Sequence, residues 1–371
     1  MAGERGSARR WPRVVRSRSG RYWSGSPVRA GRRRSGGTWR KLMTELARPQ
    51  RVEWRLVGTY YGIAFGGAVL VALLLWGLRL ALGDAIGVVG IVVTAVLYMP
   101  LPLVAGLVTE RVAGRRPLLA REWGALRRSF WRTYGRNALA AVVVILAILA
   151  LGFGTAWLAG VLGVPGAGHL VANAEELRTR MLEVVPGVSA IEVLPPPLVV
   201  AATGIVQGVF AGLTVNGLFA FGEEYGWRGV LADLLRPLGL GRATALTGVL
   251  WGFWHAPIIV LGHNYGTEWG WGIPAMIAWT VPLSFLLTAV RERTGSVLAP
   301  SILHGAYNGV IGLFTLLIIG GGLFIALPMG LLMALSLSVL AVVVWRFRAP
   351  TRRSSTSQVD RPAEAPASGT N

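Results

Sequence analysis

The sequence predicts an all-α protein, a polytopic membrane bundle of about eight transmembrane helices, and three observations predict it. Hydrophobic residues make up 53% of the 371 residues and charged ones only 15%, with a mean hydropathy of +0.54. That balance excludes an ordinary soluble protein of this length. Apolar runs of about twenty residues, the length that crosses ~30 Å of hydrocarbon, recur along the chain. Arginines collect in alternate connections between those runs. Disulfides, thiol nucleophiles and Cys-ligated metals are excluded, because there is no cysteine.

Residues 1–56 carry 16 of the 37 Lys and Arg and little that could form a core. They read as a basic cytoplasmic arm, disordered and resting on anionic lipid headgroups. No motif supports nucleic-acid binding, so no nucleic-acid partner is expected. The arm is not a signal peptide, since the apolar run behind it starts too late and is too long. Met43 to Gly58 reads as an ordinary short leader, which makes Met43 a candidate translation start.

The apolar runs fall at 57–82, 86–108, 138–162, 198–224, 243–261, 272–290, 297–319 and 323–345. Each reads as a helix, because a segment in lipid must satisfy its own backbone hydrogen bonds. Together they define a transmembrane domain over 57–345, followed by a disordered cytoplasmic tail over 346–371. The 110–137 connection carries eight arginines, from Arg111 to Arg136, and the 222–242 and 291–296 connections carry Arg228, Arg236, Arg242, Arg291 and Arg293. The intervening connections at 83–85, 262–271 and 320–322 have no Lys or Arg. With eight spans the basic connections share one side, giving a multi-pass plasma-membrane protein with both termini cytoplasmic.

Charged side chains are rare at membrane depth, and the fourth run ends on two carboxylates and an arginine. On a helix Glu224 and Arg228 are i,i+4 neighbours in the order that favours an ion pair. Glu223 points about 100° away, toward the Trp227 position, and is left free for chemistry. The fifth run places His255 in the cytoplasmic half. The seventh places His304 there too, with Asn308 one turn deeper on the same face. A lone buried histidine is ordinarily a satisfied interhelical partner; two in one layer with paired carboxylates read as a catalytic group. His169 and His263 fall in outer loops and read as solvated. Glu175 to Arg180 fits the same Glu-Glu-x-x-x-Arg pattern, but in a polar outer loop, where it reads as an amphipathic surface helix. Trp251, Trp254, Trp269, Trp271 and Trp279 read mostly as packing or interface aromatics.

Glu223-Glu-Tyr-Gly-Trp-Arg-Gly229, Trp251-Gly-Phe-Trp-His-Ala-Pro257 and the stretch from Arg293 to Asn308 resemble, in order and spacing, the three signatures of the CPBP family. That group comprises intramembrane proteases of the type II CAAX prenyl endopeptidase and bacteriocin-processing (Abi) kind. The likeness covers about 198–320. It departs at Trp251, where phenylalanine is common. The resemblance implies Glu223 as the catalytic carboxylate, Glu224 with Arg228 as its supporting pair, His255 as activator of water, and His304 with Asn308 as oxyanion donors. A cytoplasm-facing site suits the C-terminal tail of a membrane-associated or lipidated peptide as substrate, and the resemblance does not restrict it to prenylated CAAX proteins.

A buried glutamate can serve as a general base, so the residues allow a metal-free route. Glu223, His255 and His304 would equally make a His₂Glu zinc set with water in the fourth position. No Ser pairs with either histidine by spacing, so a covalent route is not expected. The competing classes are an ion- or proton-coupled transporter, in which the cluster is an ion site, and a non-catalytic scaffold or immunity protein. No matching pair of interrupted spans in the two halves supports transport.

Overall fold

The computed structural model describes residues 51–184 and 194–347. Nearly all of the arm over 1–56, the Met43 start and nearly all of the tail lie outside the described residues. The first runs fold as α1 (Trp54–Leu82), α2 (Ile86–Val93), a π-helical turn (Thr94–Tyr98) and α3 (Leu101–Val112). Pro100 and Pro102 explain why the second span is not one uninterrupted α-helix, since each lacks a backbone N–H. The arginine-rich connection forms α4 (Leu118–Arg128), which leads into the long α5 (Phe130–Val161). After α6 (Ala174–Val184) come α7 (Pro197–Leu213), α8 (Val215–Glu224), a π-helical segment (Tyr225–Leu231) and α9 (Ala232–Leu235). The remainder is α10 (Leu240–Trp254), α11 (Ala256–Val260), α12 (Trp269–Thr294), α13 (Leu298–Leu317) and α14 (Leu331–Arg346).

The protein is an all-α, multi-pass membrane bundle. Among the described residues five helical segments are long and apolar enough to cross a bilayer, and a sixth span results if α7 and the helix after it, bent by 53°, count as one. The expected eight are not reached by this criterion, for two physical reasons. At sixteen residues α14 rises only ~24 Å. It starts at Leu331 rather than 323 because Gly320 to Gly322, Pro328 and Gly330 keep the preceding chain in turns. The other exception, α13, carries His304 and Asn308 and is diluted in hydropathy, yet it is among the most buried helices, with thirteen of twenty residues inside.

That burial follows from a glycine seam. Gly204, Gly208 and Gly212 recur every four residues on α7, and Gly305 and Gly309 do so on α13. A Cβ at Gly212 would lie 2.4 Å from the backbone nitrogen of Ala306, and one at Gly305 would lie 2.4 Å from that of Gly217. Small residues at this spacing let helix backbones approach closely. The bend falls at Thr214, whose φ and ψ of −127° and −107° leave the helical region, so α8 stays against α13 below the bend. Two residues at each of 169–170 and 318–319 pair as a short antiparallel ribbon, β1 and β2, which the apolar pattern did not announce. The decoy motif at Glu175 forms α6 as expected. Asn173 caps it, accepting from the Glu176 N–H at 2.9 Å.

Candidate active site

The first motif is delivered by the junction of α8 and the π segment, and Glu223, Glu224 and Arg228 are all buried. Arg228 donates from Nη1 to Glu224 Oε1 at 2.9 Å, the i,i+4 pair that the sequence indicates. The same Oε1 accepts from His304 Nδ1 at 2.8 Å. One carboxylate oxygen therefore binds a guanidinium and an imidazole arriving from two helices. Such a charged pair holds in a dry interior only when its hydrogen bonds are satisfied, and losing one partner would strand the other.

Glu223 behaves differently. Its hydrogen-bond donor is not the Trp227 position but the indole of Trp251, on α10, at 2.9 Å to Oε2. Trp227 packs elsewhere, edge-on to Tyr60 and Trp254. The expectation failed because it considered only neighbours on the same helix, while the partner comes from the next span. Exposures of 3% for Glu223 and 4% for His304 leave both nearly closed off.

Trp251 is the side chain that gathers the site. Its indole holds Glu223, and its ring stands edge-on to His304 with centroids 5.3 Å apart. Arg228 lies over the ring at 4.2 Å from the centroid, a cation–π contact. Its backbone carbonyl accepts from His255 Nδ1 at 2.9 Å. Pro257 explains that last contact. It interrupts the helix between α10 and α11, and the His255 N–H turns to Gly252 O at 3.2 Å instead of continuing the i−4 ladder. The Trp251 carbonyl is thereby released to the imidazole. A carbonyl can only accept, so Nδ1 carries the proton and Nε2 keeps its lone pair.

The structure thus gathers Glu223, Glu224, Arg228, His255 and His304 around one tryptophan. Asn308 lies one turn beyond His304, half-buried, and among the described residues no hydrogen bond ties it to the acid and histidine groups. The zinc set does not close: among the described residues no three His, Cys, Asp or Glu side chains form a group that could hold a metal ion. Glu223, His255 and His304 therefore do not fit zinc as they stand, and the metalloprotease reading is not supported. His169 is exposed and faces Glu176 at 3.7 Å, and His263 is exposed on its loop, both as expected.

Residues 197–310, a little under a third of the chain, match the sequence model of the family described as type II CAAX prenyl endopeptidase, Rce1-like. The matched stretch contains all three motifs. The match supports the family resemblance that the motifs carry. No curated protein and no solved structure matches the chain. Within the Rce1-like segment the residue that sequence reasoning passed over is Trp251, read as packing. Its signal was available: an indole N–H one helical turn before His255, where the family commonly has a phenylalanine that could not donate.

Proposed function

We propose that this protein is an intramembrane endopeptidase that hydrolyses a peptide bond near the C-terminus of a membrane-associated or lipidated peptide, with Glu223 as general base. One observation carries the reading: the adjacent carboxylates have different partners. Glu224 is engaged by Arg228 and His304, whereas Glu223 is fixed through Oε2 by an indole N–H, leaving Oε1 for water.

In the proposed reaction Glu223 takes a proton from water while the His255 Nε2 lone pair orients the same molecule. The hydroxide formed adds to the peptide carbonyl carbon. The oxyanion that develops accepts from protonated His304 Nε2 and from the Asn308 amide, donors of a kind worth ~3 kcal/mol each. The C–N bond then breaks, and the proton held on Glu223 passes to the departing amine. No step uses a metal. The basic connections favour a cytoplasm-facing site, which suits peptides anchored on the inner leaflet.

The deciding experiment is Glu223→Gln in a full-length protein tested for cleavage of a membrane-borne peptide. Cleavage should fall by at least ~10³-fold with an unchanged melting temperature. Retained cleavage refutes the assignment, and an altered ion flux would point to transport. Chelation should leave the wild-type rate unchanged, and a rate lost to chelator and restored by zinc would reinstate the metal route.

A further inference from the structure

Tyr60 lies on α1, well outside the 197–310 segment, and is fully buried with its hydroxyl unpartnered. We propose that Tyr60 is a positioning residue of this active site, its hydroxyl completing the hydrogen bonding of the Glu224–Arg228 pair. This rests on the peptidase reading for its catalytic consequence, but not for its geometry.

Three placements support it. The ring stands edge-on to Trp227, centroids 5.5 Å apart, inside the first motif. The hydroxyl is seated against Gly226 so closely that a Cβ there would lie 2.4 Å from it, so this motif glycine makes the room the phenol occupies. On the other side of the pairing, Glu224 Oε2 and the Nε and Nη2 of Arg228 are likewise buried without a partner among the described residues.

A phenol matches that deficit chemically, since one oxygen can accept from a guanidinium N–H and donate to a carboxylate. No direct bond joins the hydroxyl to either group, so the link runs across a single bridging water. Burying a hydroxyl with nothing to bond is unfavourable, and phenylalanine would fill the same space without that cost. Nearby tyrosines show the contrast. Tyr98 donates to Trp254 O at 2.6 Å and Tyr61 to Leu250 O at 3.0 Å, both backbone acceptors that serve helix packing. Tyr60 has no such carbonyl among the described residues, and its hydroxyl sits against Gly226, between Glu224 and Arg228 in the sequence. Because Glu224 also holds His304 Nδ1, the hydroxyl acts on the oxyanion donor through that carboxylate.

The test is Tyr60→Phe, which keeps the ring and removes only the oxygen. A quenched-fluorescence farnesylated peptide with a CAAX C-terminus serves as probe, with wild type and Glu223→Gln as references. Expected are a kcat lower by about ten- to a hundred-fold, an unchanged KM, a displaced pH profile of kcat and a wild-type melting temperature. A second readout needs no turnover: the ultraviolet resonance Raman doublet of Tyr60, isolated as wild type minus Tyr60→Phe, should report a hydrogen-bonded phenol. That doublet should change in the Glu224→Gln background. Wild-type kcat and pH profile in Tyr60→Phe, or a free-phenol doublet indifferent to Glu224→Gln, overturns the proposal. If wild type cleaves nothing, the peptidase reading fails and the Raman doublet alone decides Tyr60.

Discussion

Glu223 and Glu224 are adjacent, yet what each can do is set by a different set of partners, one of them from the same helix and two from other helices. A guanidinium and an imidazole hold one oxygen of Glu224, and an indole N–H holds one oxygen of Glu223. With Glu223 as the proposed general base, the tryptophan that supplies that N–H should affect rate through Glu223. Trp251→Phe would keep a ring beneath Arg228 and beside His304 while deleting the hydrogen bond to Glu223. A bond to a charged acceptor contributes roughly 1.5–3 kcal/mol, so kcat should fall by about ten- to a hundred-fold. Steady-state kinetics with a thermal melt on the same sample checks this, and an unchanged kcat would reduce Trp251 to packing. The i,i+4 pair of Glu224 and Arg228 was legible from spacing alone, because both partners lie on one helix. The bond from Trp251 to Glu223 and that from His304 to Glu224 were not, because spacing within a helix says nothing about which face a neighbouring helix presents.

At the scale of elements, hydropathy reports contact with lipid, while catalytic position depends on contact between helices. The eight apolar runs were readable and each contains helix in the structure, but the bend at Thr214, the π segment from Tyr225 and the late start of α14 left no hydropathy signal. Those departures came from glycine and proline positions whose consequences depend on the opposing backbone. The glycine seam between α7, α8 and α13 is the clearest case, and it gives a prediction with an internal control. In Gly305→Ala the new Cβ would meet the backbone of Asn216 and Gly217, pushing α13 and the adjoining His304 away from Glu224. Overpacking of this kind costs about 1–3 kcal/mol, so melting temperature and activity should fall together. Gly312→Ala, on the same helix with nothing within 4 Å of the added Cβ, should be neutral. Equal effects from the two would show that helix propensity, not the seam, is being measured.

Across the whole molecule, the basic connection is joined to the chemistry as well as to the topology. Glu110, at the end of α3, accepts from the Leu118 N–H at 2.8 Å and from the Tyr225 hydroxyl at 2.6 Å, linking the start of α4 to the first motif. Ser296, in the third motif, donates to Glu122 of α4. Arg136 reaches Thr294 O at 2.8 Å, and at the same end Arg291 pairs with Asp233 and Arg236 with Glu292. The arginine-rich end is thus built onto two of the three motif segments, so the side it occupies is the side nearest Glu223. Arginine-rich short connections stay in the cytoplasm, which predicts a cytoplasmic approach to the site. The absence of cysteine makes this directly measurable, because any introduced thiol is unique. Ser129→Cys, between α4 and α5, should react with a membrane-impermeant maleimide only in inside-out vesicles. Ala172→Cys, beside α6, should react in intact cells. The opposite labelling would turn the bundle over and place the carboxylates toward the outside, leaving inner-leaflet peptides out of reach.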